Sequence, residues 1–267
     1  MIRALLIVIA TTLGVAASLP AHAATLCTLL IDADTGETLL DEGDCTTRVT
    51  PASTFKIPLA VMGFDAGLLT GPDAPVLSFR PGDPDWGGAN WTRDTSPAAW
   101  MVHSVLWYSQ RLTRDMGQDT LTRYARAFGF GNADFSGDPG LDNGLERAWI
   151  ASSLEVSPHE QAAFLRALLL DALPVAPAAM RQTRALLEAH PANDWTLRGK
   201  TGTAYPRRAD RSFDYARGWG WYVGWATRAD RRVIFVHLTQ QSERGPLSPG
   251  IAARDAFLRD WPALVTP

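Results

Sequence analysis

The 267-residue chain carries 25 lysine or arginine residues against 28 aspartate or glutamate residues, which gives a formal net charge of −3. This balance leaves no basic surplus that would favour binding to nucleic acid or to an anionic membrane. Hydrophobic residues make up 46% of the chain, which is sufficient for one large domain or two closely packed lobes.

The first segment is typical of an exported protein. Arg3 precedes an apolar run over residues 4–19, and the sequence Ala-His-Ala at 21–23 has the small-x-small form of a signal-peptidase site. We therefore predict a cleaved signal peptide over residues 1–23 and a single domain over residues 24–267, located in the periplasm and free of the membrane. A retained membrane anchor is the alternative, but the apolar run is shorter than the ~20 residues that a span needs.

Two apolar runs follow, on either side of the turn sequence Asp-Thr-Gly at 34–36, and they predict a β-hairpin centred near Gly36. Cys27 and Cys45 flank this hairpin, which brings them almost opposite one another. In an oxidising compartment we expect them to form a disulfide. Two buried free thiols are the alternative.

Helical patterns occupy the middle of the chain. A buried helix, apolar on nearly all sides, is predicted over residues 54–66, and a second helical stretch is predicted over 96–116. Asp119 is expected to cap the next helix. Ser157 and Glu160 form a capping box around a proline at the first helical position.

From Trp195 onward, three strand patterns precede a closing helix. Strands from both ends of the chain, with helices between them, predict an α/β fold of the α+β type, in which helices pack on one antiparallel sheet. The sheet lobe is expected over about 24–50 and 192–267, and a mostly helical lobe is inserted over about 51–191.

Ser53 and Lys56, at the start of the first predicted helix, form the first candidate site. Only two of the 25 basic residues are lysines, Lys56 and Lys200. A serine nucleophile needs an adjacent base, and one helical turn brings the ends of the Ser53 and Lys56 side chains together. Lysine serves as a base once burial lowers its pKa, whereas arginine stays protonated. Histidine is the more usual base, but only His103 lies near a candidate motif.

The second lysine begins the tripeptide Lys200-Thr201-Gly202 at the end of a predicted strand. Gly202 allows a substrate backbone to approach the strand edge, and Lys200 and Thr201 offer a charge and a hydroxyl to a carboxylate. Together with the upstream serine–lysine pair, and with Ser104 between them, this tripeptide completes the motif set of penicillin-recognising serine enzymes.

Over essentially all of residues 24–267, the sequence resembles a class D β-lactamase, the oxacillinase type. PASTFKIP at 51–58 is similar to the family's nucleophile segment, SVL at 104–106 to its Ser-x-Val element, and FGN at 130–132 to its Tyr-Gly-Asn element. The tract around Trp149 is similar to the one that holds the family's active-site tryptophan.

The resemblance implies roles for the motif residues. Ser53 is expected to attack the lactam carbonyl, and Lys56 is expected to react with carbon dioxide to form N6-carboxylysine, the general base. Ser104 would relay a proton to the lactam nitrogen, tuned by Lys200. Trp149 would donate its indole N–H to the carbamate, with plain core packing as the alternative. Apart from carbon dioxide or bicarbonate, neither a cofactor nor a metal is implied.

The resemblance also implies the contacts to the substrate. The backbone N–H of the nucleophile and that of Thr203 would form the oxyanion hole. Many relatives bind the substrate carboxylate with an arginine just before the last helix. Arg254 is the preferred residue for this role here, and the alternatives are Arg244, or the hydroxyls of Ser248 and Thr201.

Two residues depart from the family's pattern. Leu106 replaces a valine beside the lysine pocket; it keeps the pocket apolar, and its added bulk is expected to alter the access of water. Phe130 replaces a tyrosine and lacks the hydroxyl, so we interpret that motif as structural in this chain.

The predicted function is that of a serine β-lactamase, which hydrolyses penicillins of the oxacillin type through an acyl-enzyme and confers antibiotic resistance. The partner is a small-molecule β-lactam and not a nucleic acid, and the chain is a monomer or a homodimer. The alternatives are a penicillin-binding transpeptidase or carboxypeptidase, and a β-lactam sensor domain that remains acylated.

Overall fold

The computed structural model describes residues 23–265. The predicted signal peptide therefore lies outside the described residues, apart from Ala23. In the described part of the chain, no helix combines the length and the apolar character that a membrane span requires.

Strands from both ends of the chain form one six-stranded sheet in the order β2-β1-β6-β5-β4-β3, and all neighbouring strands are antiparallel. This confirms the predicted fold class. The sheet also includes a short strand, β3, that begins slightly before the predicted lobe boundary near residue 192. The strands are β1 (Ala24–Asp32), β2 (Thr38–Gly43), β3 (Glu188–Ala192), β4 (Trp195–Ala204), β5 (Trp219–Arg228) and β6 (Arg231–Gln240).

Helices lie between β2 and β3 and after β6. A short 3-10 helix (Ala52–Phe55) leads directly into the first α-helix. The α-helices of the described residues are α1 (Lys56–Asp65), α2 (Pro97–His103), α3 (Leu106–Met116), α4 (Gln118–Ala127), α5 (Gly144–Arg147), α6 (Pro158–Leu169), α7 (Pro177–Ala185) and α8 (Pro249–Leu264).

Helices cover both faces of the sheet. Helix α8 packs on one face, where Phe257 and Trp261 join Tyr222 and Phe235 of the strands in a small aromatic cluster. Helix α6 packs on the other face against β1, β5 and β6, and α1 is enclosed in the larger core on that side. The nucleophile segment thus lies at the junction between the sheet and the helical lobe.

The hairpin and one helix start agree with their sequence signals. Strands β1 and β2 pair around a turn in which Gly36 has a φ of +78°, a conformation that glycine adopts without strain. Cys27 and Cys45 are joined by a disulfide, so the predicted pairing is confirmed and the alternative of free thiols is not found. Ser157 and Glu160 form the predicted capping box at the start of α6.

Two helix boundaries differ from the prediction. The stretch over 96–116 is divided into α2 and α3, because Ser104 adopts a left-handed conformation with a φ of +57°. Helix α4 begins at Gln118 after Gly117, so Asp119 lies in the first helical turn and does not cap it. Its carboxylate still favours the helix start through the helix dipole.

Candidate active site

Ser53 and Lys56 meet at the start of α1, as their spacing predicts. The 3-10 turn ends at Phe55, and the Lys56 Nζ lies 3.3 Å from the Ser53 Oγ. The Lys56 side chain is almost fully buried, with 1% of its surface exposed. Burial, and to a smaller extent the charge of Lys200, holds the pKa of Lys56 well below its usual value. The site therefore favours the neutral amine, which is the form that can accept a proton.

The backbone just before the nucleophile is strained. Ala52 has a φ of +52°, which is unfavourable for a residue with a Cβ, and its N–H donates to the carbonyl oxygen of Trp149 at 3.0 Å. Thr54 donates to the Pro51 carbonyl at 2.7 Å and accepts from the Gln161 side chain at 3.1 Å. These bonds hold the turn that presents the Ser53 hydroxyl.

Thr50 connects three parts of the molecule at the base of the site. Its hydroxyl donates to the Trp149 carbonyl at 2.8 Å and accepts from the Ala151 N–H at 2.9 Å. Its carbonyl accepts from the indole N–H of Trp221 on β5 at 2.9 Å. The nucleophile segment, the Trp149 loop and the sheet are thereby fixed relative to one another.

A second serine–lysine pair lies beside the first. Ser104 occupies the break between α2 and α3, and the Lys200 Nζ on β4 donates to its Oγ at 2.6 Å. Lys200 is also buried, with 5% of its surface exposed, and burial lowers its pKa to about 8. The structure therefore brings together the four residues that the sequence motifs single out, because α1, β4 and the α2–α3 break converge on one point.

Gly202 has a packing role in this convergence. A Cβ at this position would lie 2.9 Å from the Pro51 carbonyl oxygen and 3.1 Å from the Thr54 Cγ2. A larger residue would therefore push β4 away from the nucleophile segment. The sequence analysis expected Gly202 to let a substrate approach β4. The close contact between Gly202 and the nucleophile turn is a second reason for glycine at this position.

One edge of β4 is open next to the nucleophile. Strand β3 pairs only with the first half of β4, from Trp195 to Gly199. On that side, Lys200 to Ala204 therefore have no strand partner among residues 23–265. An exposed strand edge offers backbone N–H and C=O groups to an extended ligand.

Trp149 lies against the nucleophile turn. Its ring stacks on Phe55, with 5.3 Å between the ring centroids, and it is 1% exposed. In the described part of the chain, its indole N–H donates to no protein acceptor. Phe55 precedes Lys56 directly, so this tryptophan borders the lysine pocket.

The two departures from the family pattern occupy apolar surroundings. Leu106 begins α3 and is 7% exposed, so the site keeps an apolar residue there. Phe130 is fully buried against Phe55 and Phe164, with centroid distances of 6.2 and 5.4 Å. Asn132, in the same motif, fastens its loop by accepting from the Glu155 N–H and donating to the Ser153 carbonyl. These contacts are in keeping with the interpretation of the motif as structural.

The candidates for binding a carboxylate lie between β4 and α8. Thr201 faces α8 together with Thr203, whose hydroxyl accepts from the Gly250 N–H at 2.9 Å. Ser248 is exposed at the start of α8, and its side chain makes no capping hydrogen bond. Arg254 lies one turn after Gly250 and pairs with Asp255, yet its charge still contributes to lowering the pKa of Lys200.

Three positioning residues were missed by the sequence analysis: Thr50, Gln161 and Trp221. Each acts through a hydrogen bond to a residue more than 90 positions away in the chain. No local pattern marks such a pair. Gln161 alone carried a weak signal, because it is a polar residue on the buried side of an otherwise apolar helix face.

Two buried lysines, each hydrogen bonded to a partly exposed serine, lie beside an open strand edge in an antiparallel sheet covered by helices. This arrangement defines a serine acyl-transfer enzyme of the penicillin-recognising type. Residues 26–261 match the penicillin binding protein transpeptidase domain family. Among the described residues, no group of three or more histidine, cysteine or acidic side chains is arranged to hold a metal.

Comparison with known proteins identifies the family within this class of enzymes. Beta-lactamase OXA-9 of Klebsiella pneumoniae is 37% identical over 263 residues, covering 98% of this chain and 96% of that protein. Beta-lactamase OXA-1 of Escherichia coli is 34% identical, covering 85% and 80%. The crystal structure of OXA-427 class D beta-lactamase superposes with a TM-score of 0.81 at 42% identity, covering 89% of this chain and 97% of that one. The chain belongs to the class D β-lactamases, serine hydrolases that act on β-lactam amides.

Proposed function

We propose that this enzyme hydrolyses penicillins through a Ser53 acyl-enzyme, with Lys56 in its N6-carboxylated form as the general base. The observation that carries the proposal is the burial of Lys56, whose amine lies 3.3 Å from the nucleophile and has a strongly lowered pKa. Burial disfavours the positively charged form of a lysine beside a serine hydroxyl. The neutral amine is well suited to react as a base or nucleophile.

The surroundings of Lys56 fit carboxylation. The neutral amine is the form that reacts with carbon dioxide, and burial favours it. A buried anion needs a hydrogen-bond donor, and the indole N–H of Trp149, on the ring that stacks against Phe55, is available for this purpose. When carboxylated, the lysine supplies an anionic oxygen that accepts a proton.

In the acylation step, the Ser53 Oγ gives its proton to the general base at Lys56 and forms a bond to the lactam carbonyl carbon. The C–N bond of the ring then breaks, and the lactam nitrogen takes a proton from the Ser104 hydroxyl. Lys200 hydrogen bonds to the Ser104 Oγ at 2.6 Å and would return a proton to it. In deacylation, a water molecule gives a proton to the same base and attacks the ester carbonyl carbon. The ester C–O bond breaks, and the Ser53 oxygen takes the proton back, which releases the penicilloic acid.

The oxyanion of each step would be held by the backbone N–H groups of Ser53 and Thr203. The close approach of β4 to the nucleophile turn at Gly202 supports this assignment. Loss of one such donor typically lowers the rate by a factor of ~10² to 10³.

For the substrate carboxylate we propose Thr201 and Arg254, with Ser248 at the start of α8 as a further hydroxyl. Arg254 lies on the side of α8 that faces Tyr222, the cross-strand partner of Thr201. A guanidinium and a hydroxyl on adjoining elements suit a carboxylate. Leu106 would border the path of the hydrolytic water.

Turnover of a chromogenic cephalosporin by the purified protein tests hydrolysis against the two alternative functions. Sustained hydrolysis is expected. A stoichiometric burst that stops would instead indicate a transpeptidase, a carboxypeptidase or a sensor that remains acylated.

The carbamate has a direct test, because Lys200 is the only other lysine in the chain. With ¹³C-labelled bicarbonate, the protein should give one carbamate carbon resonance. The resonance should be lost in Lys56→Gln and retained in Lys200→Gln. Activity should fall after acidic degassing and return with bicarbonate. A resonance that persists in Lys56→Gln would refute the assignment.

We further propose a periplasmic location after removal of residues 1–23, and a soluble monomer or homodimer. The apolar run over residues 4–19 supports export. N-terminal sequencing of the protein recovered from a periplasmic fraction should begin at Ala24. Light scattering would give the oligomeric state.

A further inference from the structure

Arg244, in the segment between β6 and α8, is an exposed arginine that lies over an aromatic ring. Its Cζ lies 5.5 Å from the centroid of the Tyr215 ring, and within residues 23–265 it takes part in no ion pair. A cation over an aromatic face keeps its N–H groups free for an anion in the plane of the guanidinium.

Tyr215, the ring beneath Arg244, is held near the end of β4. Tyr215 packs against Tyr205, with 4.8 Å between the ring centroids, and Tyr205 directly follows β4. A Cβ on Gly218 would lie 2.8 Å from the Tyr205 Cε1 and 2.5 Å from the Pro249 Cγ. The group formed by Tyr205, Tyr215 and Arg244 therefore lies where β4 ends and α8 begins.

Two arginines of the β4–β5 loop (residues 205–218) have acidic partners. Arg208 pairs with Asp214 at 3.0 Å, and Arg207 lies 3.7 Å from Asp138. Arg244 makes no ion pair with a described residue. Arg211 and Arg217 share this property but contact neutral acceptors, whereas Arg244 lies over the Tyr215 ring.

The orientation of the bound penicillin follows from the proposed function, and this inference rests on that function. A penicillin carries its ring carboxylate on one side of the lactam carbonyl and its acylamino side chain on the other. With the ring carboxylate at Thr201 and Arg254 and the carbonyl oxygen at Thr203, the side chain extends past Thr203 toward Tyr205. This direction leads to the group that holds Arg244.

We propose that Arg244 binds negatively charged acyl side chains, so that the enzyme favours penicillins with a second carboxylate. Carbenicillin and benzylpenicillin form a matched pair, since they differ only by a carboxylate on the benzylic carbon. The quantity that reports the contact is the ratio of kcat/KM for carbenicillin to kcat/KM for benzylpenicillin.

In Arg244→Gln this ratio should fall about fivefold, as expected for the loss of one partly solvated ion pair. Arg244→Lys should retain part of the ratio, and Arg208→Gln, on the adjacent loop, should leave it at the wild-type value. About 0.5 M NaCl should lower the ratio for the wild type and should have little effect on the ratio for Arg244→Gln, because salt screens exposed charges.

An unchanged ratio in Arg244→Gln would overturn the proposal. If both kcat/KM values fall by the same factor, Arg244 binds the ring carboxylate that the two substrates share. Failure of the proposed function is distinguishable, because the wild type would then show no sustained turnover of either penicillin.

Discussion

The ammonium of Lys200 should set the alkaline limit of activity. Burial lowers its pKa to about 8, and its Nζ hydrogen bonds to Ser104 at 2.6 Å. With that pKa, about nine-tenths of the enzyme carries a protonated Lys200 at pH 7 and about one-tenth does so at pH 9. If the ammonium is required to bind the substrate and to supply the proton, kcat/KM should fall roughly tenfold between these pH values.

The assay is a pH profile of kcat/KM for benzylpenicillin in saturating bicarbonate, because kcat/KM reports ionisations of the free enzyme. In Lys200→Arg the guanidinium stays protonated, so the alkaline fall should disappear even though the absolute rate is lower. A wild-type profile that is flat to pH 10, or an identical fall in Lys200→Arg, would refute this reasoning.

The same shift has a consequence for stability. The pKa of Lys200 is near 8 in the folded chain and near 10.5 in the unfolded chain, so between these values the unfolded state binds more protons. The contribution of Lys200 to the free energy of unfolding therefore rises with pH in that window. Urea unfolding of the wild type and of Lys200→Met at pH 8 and pH 10 should show the wild type gaining relative to the variant; a constant difference would contradict the lowered pKa.

Three further substitutions test the site and the fold. Trp149→Phe keeps a ring against Phe55 but removes the indole N–H, so half-maximal activation should need about tenfold more bicarbonate; an unchanged requirement would return Trp149 to a packing role. Gly202→Ala places a Cβ 2.9 Å from the Pro51 carbonyl oxygen and should lower kcat/KM by about 10² without loss of circular dichroism; wild-type kinetics would contradict the packing argument. Cys45→Ser removes a disulfide that spans 18 positions and should lower the free energy of unfolding by about 3 kcal/mol, with kcat/KM at 25 °C retained; an unchanged denaturation midpoint would count against this structural role.

Much of the site could be predicted because its chemistry is local in the sequence. Ser53 and Lys56 are one helical turn apart, and Lys200 begins a tripeptide on a single strand. The scarcity of lysine strengthened both signals. Arginine cannot provide the neutral amine expected at position 56, and at position 200 a compact ammonium is the expected requirement. The sheet could be predicted in the same way, because short apolar runs next to turn residues, at both ends of the chain, indicate strands without reference to distant partners.

The break at Ser104 shows where local patterns fail. Both α2 and α3 have helical sequences, so the pattern predicts one continuous helix. In the folded chain, the left-handed conformation of Ser104 ends α2 and brings its hydroxyl to Lys200. Tertiary contacts outweigh helix propensity at this position, because differences in helix propensity among ordinary residues are at most ~0.7 kcal/mol per residue.

The amino-acid sequence by itself therefore determined which residues could perform the chemistry and on which elements they lie. Only the tertiary structure decided how buried Lys56 and Lys200 are, which acceptors hold Thr50 and Trp221, and that Arg244 lies over Tyr215 with no ion pair to a described residue. The physical reason is that a pKa, a long-range hydrogen bond and an unneutralised charge depend on the solvent and on neighbours from distant parts of the chain. Residue type and spacing do not carry that information.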